Sequence, residues 1–131
     1  MDNPDPYNRA LRQYFVNPAH ACDLPEEYTD ILVSEAGELS LGAKVRLMLA
    51  LEDGVIQAMR FQAWGCPHLI AAAEALCERF EGQPVESLAH FEPQELMQRL
   101  AVPVEKTGRI LVLEDALDLL RHRAVANETG Q

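Results

Sequence analysis

The sequence predicts an α+β fold, a three-stranded antiparallel sheet with helices packed on one face. Three observations carry this reading. Lys44 to Leu51 alternates cleanly, with Val45, Leu47, Leu49 and Leu51 on one face and Lys44, Arg46, Met48 and Ala50 on the other. Glu52-Asp53-Gly54 then reads as a hairpin turn into a second extended segment, Val55 to Trp64. From Pro67 onward, apolar residues recur with the 3.6-residue period of helices. The order of helix, strands and helices places the helices against one sheet face.

The elements follow in order. Tyr7 to Val16 reads as a short helix with Leu11, Tyr14 and Phe15 on one side, stopped by Asn17-Pro18. Ala19 to Glu27 is a loop. Ile31 to Ala36 alternates weakly and reads as the first strand, and Gly37 to Gly42 as a loop or turn. Gln57, Arg60 and Gln62 interrupt the apolar residues of the third strand. Pro67 to Phe80 carries Leu69, Ile70, Ala73, Leu76, Cys77 and Phe80 at helical spacing, and Gly82 and Pro84 end it. Pro93 opens a short helix containing Leu96 and Leu100, broken by Val102-Pro103-Val104. Ile110 to Arg123 is a last helix with Ile110, Leu113, Leu117 and Leu120 inward, and Glu114-Asp115 at its opening, where acids complement the dipole.

The 131 residues suit one domain spanning 1–131, with a core of about 7–123. Hydrophobic residues at 48% and charged ones at 24% are ordinary for a globular protein, and no apolar run reaches the ~18 residues of a membrane span. The opening Met-Asp-Asn-Pro-Asp-Pro lacks the basic-then-apolar pattern of a secretory signal. Three cysteines at irregular spacing argue against a disulfide framework and for a reducing cytoplasmic setting. A net charge of −10, from 11 basic and 21 acidic residues, repels phosphate backbones and argues against nucleic acid as a partner.

Candidate chemistry centres on Phe61-Gln-Ala-Trp-Gly-Cys66-Pro67-His68. Pro67 at the first helical position puts Cys66 at a helix N-cap, where unpaired N–H groups and the positive end of the dipole favour a thiolate. The alternative is a small residue filling a strand-to-helix corner. His68 is either a metal ligand with Cys66 or a polar first-turn residue. Cys77, about 16 Å further along the same helix, cannot share a metal with Cys66 and reads as a buried thiol. Cys22 and His20 lie in the loop after Pro18 and reach Cys66 only if the fold brings that loop over. Glu74, Glu78 and Glu81 read as a solvated helix face. No orienting third group accompanies a Cys66–His68 dyad, and glycine-rich phosphate loops are absent, so an enzyme is not expected.

The pattern as a whole resembles the NifU/IscU-type iron–sulfur cluster scaffold domain over roughly Tyr7 to Arg123. The resemblance rests on Tyr7 with Tyr14-Phe15-Val16-Asn17-Pro18, the hairpin Lys44 to Arg60, Phe61-Gln-Ala-Trp-Gly-Cys66 against F-x-x-[aromatic]-G-C, and Ile110-Leu-Val-Leu-Glu-Asp-Ala116 against I-L-x-x-E-D-A. It implies ligands at positions that this chain has mostly lost. Leu41 replaces the first cysteine, Ala43 the aspartate, Gly108 the histidine and Arg109 the third cysteine, leaving Cys66 in place. The family's L-P-P-V-K segment is here Val102-Pro103-Val104-Glu105-Lys106. A cluster of this class needs about four protein ligands. One cysteine is too few within a single chain, and a cluster bridged across a homodimer by two copies of Cys66 is conceivable but would still lack two ligands. The resemblance therefore implies an accessory, sulfur-accepting or regulatory role in cluster assembly, with a cysteine desulfurase or an intact scaffold as partner. Two other readings stay open. One is a metal-free interaction module. The other is a mononuclear zinc or iron site using Cys66, His68 and Cys22.

Overall fold

The computed structural model describes residues 9–128. Helix α1 (Arg9–Val16) precedes the strands β1 (Ile31–Glu38), β2 (Ala43–Glu52) and β3 (Val55–Trp64), and α2 (Pro67–Phe80), α3 (Pro93–Arg99) and α4 (Thr107–Glu128) follow. Tyr7, expected at the start of the first helix, lies outside the described residues. The strands form one antiparallel sheet in the order β1-β2-β3, so the α+β architecture read from the sequence is the one observed.

The β2–β3 turn has only Asp53 and Gly54 at its tip, with φ of 54° and 76°. Two successive positive φ values give the turn a twist that matches the strands it joins, and Asp-Gly supplies them at low cost. β1 runs two residues beyond its expected end because Gly37 and Glu38 still pair with Lys44 and Ala43. The chain then makes a single 3-10 turn at Leu39–Leu41 and reverses through Gly42.

The β2 row Val45, Leu47 and Leu49 is fully buried, together with Met59 and Phe61 of β3. These residues share one core with Leu69 and Leu76 of α2 and with Ile110, Leu113, Leu117 and Leu120 of α4. Ser34 on β1 donates a buried hydrogen bond to the Ala116 carbonyl at 2.6 Å, tying α4 to the sheet. α4 starts three residues before the expected Ile110, after a 3-10 turn at Val104–Lys106. Glu114 and Asp115 therefore sit about two turns inside the helix rather than at its opening, a correction that removes their dipole role. Another 3-10 turn at Val85–His90, too short to leave a period in the sequence, joins α2 to α3. No helix among the described residues is long and apolar enough to cross a membrane.

Candidate functional site

Three segments meet at the end of the sheet that holds Cys66. The first is the turn Leu39–Leu41 with Gly42 and Ala43. The second is Gly65-Cys66 and the start of α2, and the third is Val104–Lys106 with the start of α4. Gly65 has a φ of 148°, and a Cβ there would lie 3.4 Å from the Gly42 carbonyl oxygen and 3.6 Å from Ala43 Cα. That φ is one L side chains rarely adopt, so glycine suits the position where the first two segments come into contact. A Cβ on Gly108 would lie 2.8 Å from Leu41 Cδ1, with Leu41 Cδ2 and Cγ next at 3.9 Å each. The first and third segments therefore touch through Leu41.

Cys66 occupies the N-cap of α2 with Pro67 at the first helical position, as the sequence predicts. Its carbonyl accepts from Leu69 N–H at 3.0 Å and Ile70 N–H at 3.3 Å. Its thiol is half-buried and makes no capping hydrogen bond, so it is available for chemistry. His68 is only 5% exposed, well inside the first turn rather than on its surface. Burial depresses its pKa, and the charges of Lys106 and Arg109 depress it further, both favouring the neutral ring. No acidic residue occupies the first turn of α4. Lys106 and Arg109 instead place two cations at a helix end whose dipole disfavours them. Apolar side chains stand exposed on the first and third segments and at the end of β3, with Leu39 98%, Val104 84% and Trp64 50% accessible. Lys44 lies over the Trp64 ring, 5.2 Å from its centroid, and 3.5 Å from Glu35.

Among the described residues Cys22, Cys66 and His68 do not form a group arranged to hold a metal ion. Cys22 is exposed and interacts with the Arg60 guanidinium beside β3. The next residue, Asp23, accepts from Gln62 Nε2 at 3.0 Å. Cys77 is fully buried in the core, and burial, then Glu74 and Glu81, push its thiol well above the usual range. Among the described residues no group of three or more His, Cys, Asp or Glu side chains is arranged to hold a metal ion. Leu41, Ala43, Gly108 and Arg109 supply no thiolate, imidazole or carboxylate at the junction, so these residues do not fit an iron–sulfur cluster.

The acidic stripe on α2 is a correction. Glu74 is only 4% exposed, and Glu81 is bonded on both oxygens, so neither belongs to a solvated face. Glu74 accepts from His20 N–H at 2.8 Å and pairs with His20 Nδ1 at 2.5 Å. Glu81 lies 3.2 Å from His20 Nε2 and accepts from Arg60 Nη1 at 2.6 Å and Met59 N–H at 2.9 Å. Glu78 remains exposed and accepts from the Tyr14 hydroxyl at 3.0 Å. Glutamates at positions i, i+4 and i+7 form one stripe. Without basic partners at helical spacing, the stripe was itself a signal that partners come from elsewhere.

The family model for the NifU-like N-terminal domain matches residues 6–126. The iron–sulfur cluster assembly protein IscU of Plasmodium falciparum is 26% identical over 111 residues, covering 85% of this chain and 68% of that protein. The iron–sulfur cluster assembly scaffold protein IscU of Haemophilus influenzae is 21% identical over 112 residues, covering 85% of this chain and 89% of that one. A structure assigned as an iron–sulfur cluster assembly scaffold for the SUF system of Fervidobacterium islandicum superposes with a TM-score of 0.68. Its identity is 16%, covering 88% of this chain and 96% of that one, a likeness of fold.

Proposed function

The chain belongs to the NifU-like N-terminal domain family, and on that premise we propose that it serves iron–sulfur cluster assembly as a sulfur-accepting accessory rather than as the place where a cluster is built. One observation carries the reading. Of the residues at the three-segment junction, Cys66 alone offers a soft donor, and it stands at a helix N-terminus with an uncapped, half-buried thiol. Lys106 and Arg109 support it. Two cations at the start of α4, close enough to act on His68, suit an anionic sulfur species and oppose a metal cation.

The chemistry needs a partner that carries a persulfide, which a cysteine desulfurase supplies. The Cys66 sulfur attacks the outer sulfur of that persulfide. A new S–S bond forms at Cys66 as the old one breaks. The electron pair of the broken bond leaves on the partner's cysteine, which takes the proton given up by the Cys66 thiol. Nothing is oxidised or reduced overall. The reverse exchange would deliver the sulfur to an intact scaffold.

Incubation with a cysteine desulfurase and cysteine, with an intact scaffold in parallel, tests this. Mass analysis is expected to find one added sulfur on Cys66 and none in Cys66→Ser. Labelling of the scaffold alone sinks the reading. The exposed Leu39, Trp64 and Val104 favour a second reading, a metal-free interaction module built on the same surface. On that reading, Cys66→Ser keeps full partner binding and the partner's activity.

A further inference from the structure

We infer that Leu41 is the residue that keeps metal away from Cys66: its side chain, seated against Gly108, plugs the pocket in which the family's ligands would converge. The inference deepens the sulfur-acceptor reading and rests on the same assignment of ligand positions.

The argument is steric first. The three atoms nearest to a Cβ at Gly108 all belong to Leu41, at 2.8, 3.9 and 3.9 Å. The leucine fills the space that any side chain at 108 would enter. One change therefore acts on two donor positions: leucine has no lone pair to offer, and its Cδ1 stands where a side chain at 108 would begin and would have to shift to admit one. Leu41 is half-buried and packs against the main core, so it is held in that position. A metal bound by few protein ligands also needs an open position for water. A branched hydrocarbon placed at the pocket denies it.

The neighbours act in the same direction. Ala43, 4% exposed, puts a buried methyl at the aspartate position beside Gly65. Arg109 follows Gly108 directly and adds a fixed positive charge on this side of α4. Cys66 is thereby left as a thiol without co-ligands. Sulfur bound to it would not be consumed in building a cluster in place and would be free to leave.

Cobalt(II) is the probe, because thiolate coordination gives it a charge-transfer absorption. Wild type is expected to show none. Leu41→Cys with Gly108→His restores two donors beside Cys66 and is expected to bring the absorption in, weakened when Cys66→Ser is added. A Cys66-dependent absorption in wild type overturns the inference. So does a folded double variant that stays silent. Thermal midpoints provide a second readout should the double variant fail to fold. Gly108→Ala in a helix ordinarily raises stability. Here it is expected to lower the midpoint in the Leu41 background and to raise it in Leu41→Ala. A rise in both backgrounds would show that Leu41 does not interlock with position 108. Persulfide labelling of Cys66 is independent of these outcomes. Wild type that binds no cobalt and takes no sulfur sinks the proposed function alone, and wild type that does both sinks only the plug.

Discussion

At the scale of single residues, His20 shows how little of an ionic network is visible in the chain order. Its ring lies between Glu74 and Glu81, 54 and 61 positions away. Burial pulls its pKa down, but the hydrogen bonds and charges of the two glutamates outweigh burial and the net shift is upward. A raised pKa means that the imidazolium adds stability fully below the ordinary 6.5, and that this is lost as pH climbs through the raised value. The stability gap between wild type and His20→Gln should therefore be widest in mildly acidic solution and narrow toward alkaline pH. Denaturant midpoints across that range check it, and a gap that does not change with pH would refute it. Glu81 behaves in the opposite sense. Burial raises its pKa, while Met59 N–H, Arg60 and His20 together bring the net value below 4.5, so its contribution is lost as pH falls. Glu74→Ala leaves the histidine without its buried carboxylate and should cost about 3 kcal/mol, measurable by the same unfolding curves.

At the scale of elements, the end of α3 carries a local misfit. Val102 N–H bonds back to the Met97 carbonyl at 2.9 Å and Ala101 N–H to that of Gln98 at 3.2 Å, the paired bonds of a Schellman ending. The residue at its left-handed position is Ala101, with φ of 53°. A Cβ there is strained, so Ala101→Gly should stabilise the protein by about 0.5–1 kcal/mol and raise its melting temperature. An unchanged or lower melting temperature would refute the assignment. The same turn chemistry explains which elements the sequence reveals. Asp53-Gly54 announces its hairpin because few residue pairs tolerate two positive φ values. Pro67 marks the start of α2 because it suits a first helical position. The start of α4 was hidden, since Val102-Pro103-Val104 reads as a breaker and the apolar period begins only at Ile110, three residues after the helix does. Three-residue 3-10 turns such as Leu39–Leu41 leave no periodicity to detect.

At the scale of the whole molecule, the family is legible because its motifs keep their order and spacing along the chain, while the state of the site is not. Reading Leu41 and Gly108 separately gives two missing ligands, and only the fold shows that they fill one space. The consequence for the intact protein is a prediction: anaerobic incubation with ferrous iron, sulfide and thiol, then desalting, should leave neither metal nor sulfide at stoichiometric levels. Retained iron and sulfide with visible absorption would overturn the ligand argument. One further feature concerns the outer edge of β3. The His20 carbonyl accepts from Phe61 N–H at 2.9 Å, and at the other end Gly82 N–H bonds to the Ile56 carbonyl at 2.7 Å while the Gln83 carbonyl accepts from Ile56 N–H at 2.9 Å. Backbone groups that would otherwise template a foreign strand are already engaged. On that side the sheet resists edge-to-edge growth, so the loop that His20 anchors also protects the protein against aggregation, a protection that would weaken if the loop detached.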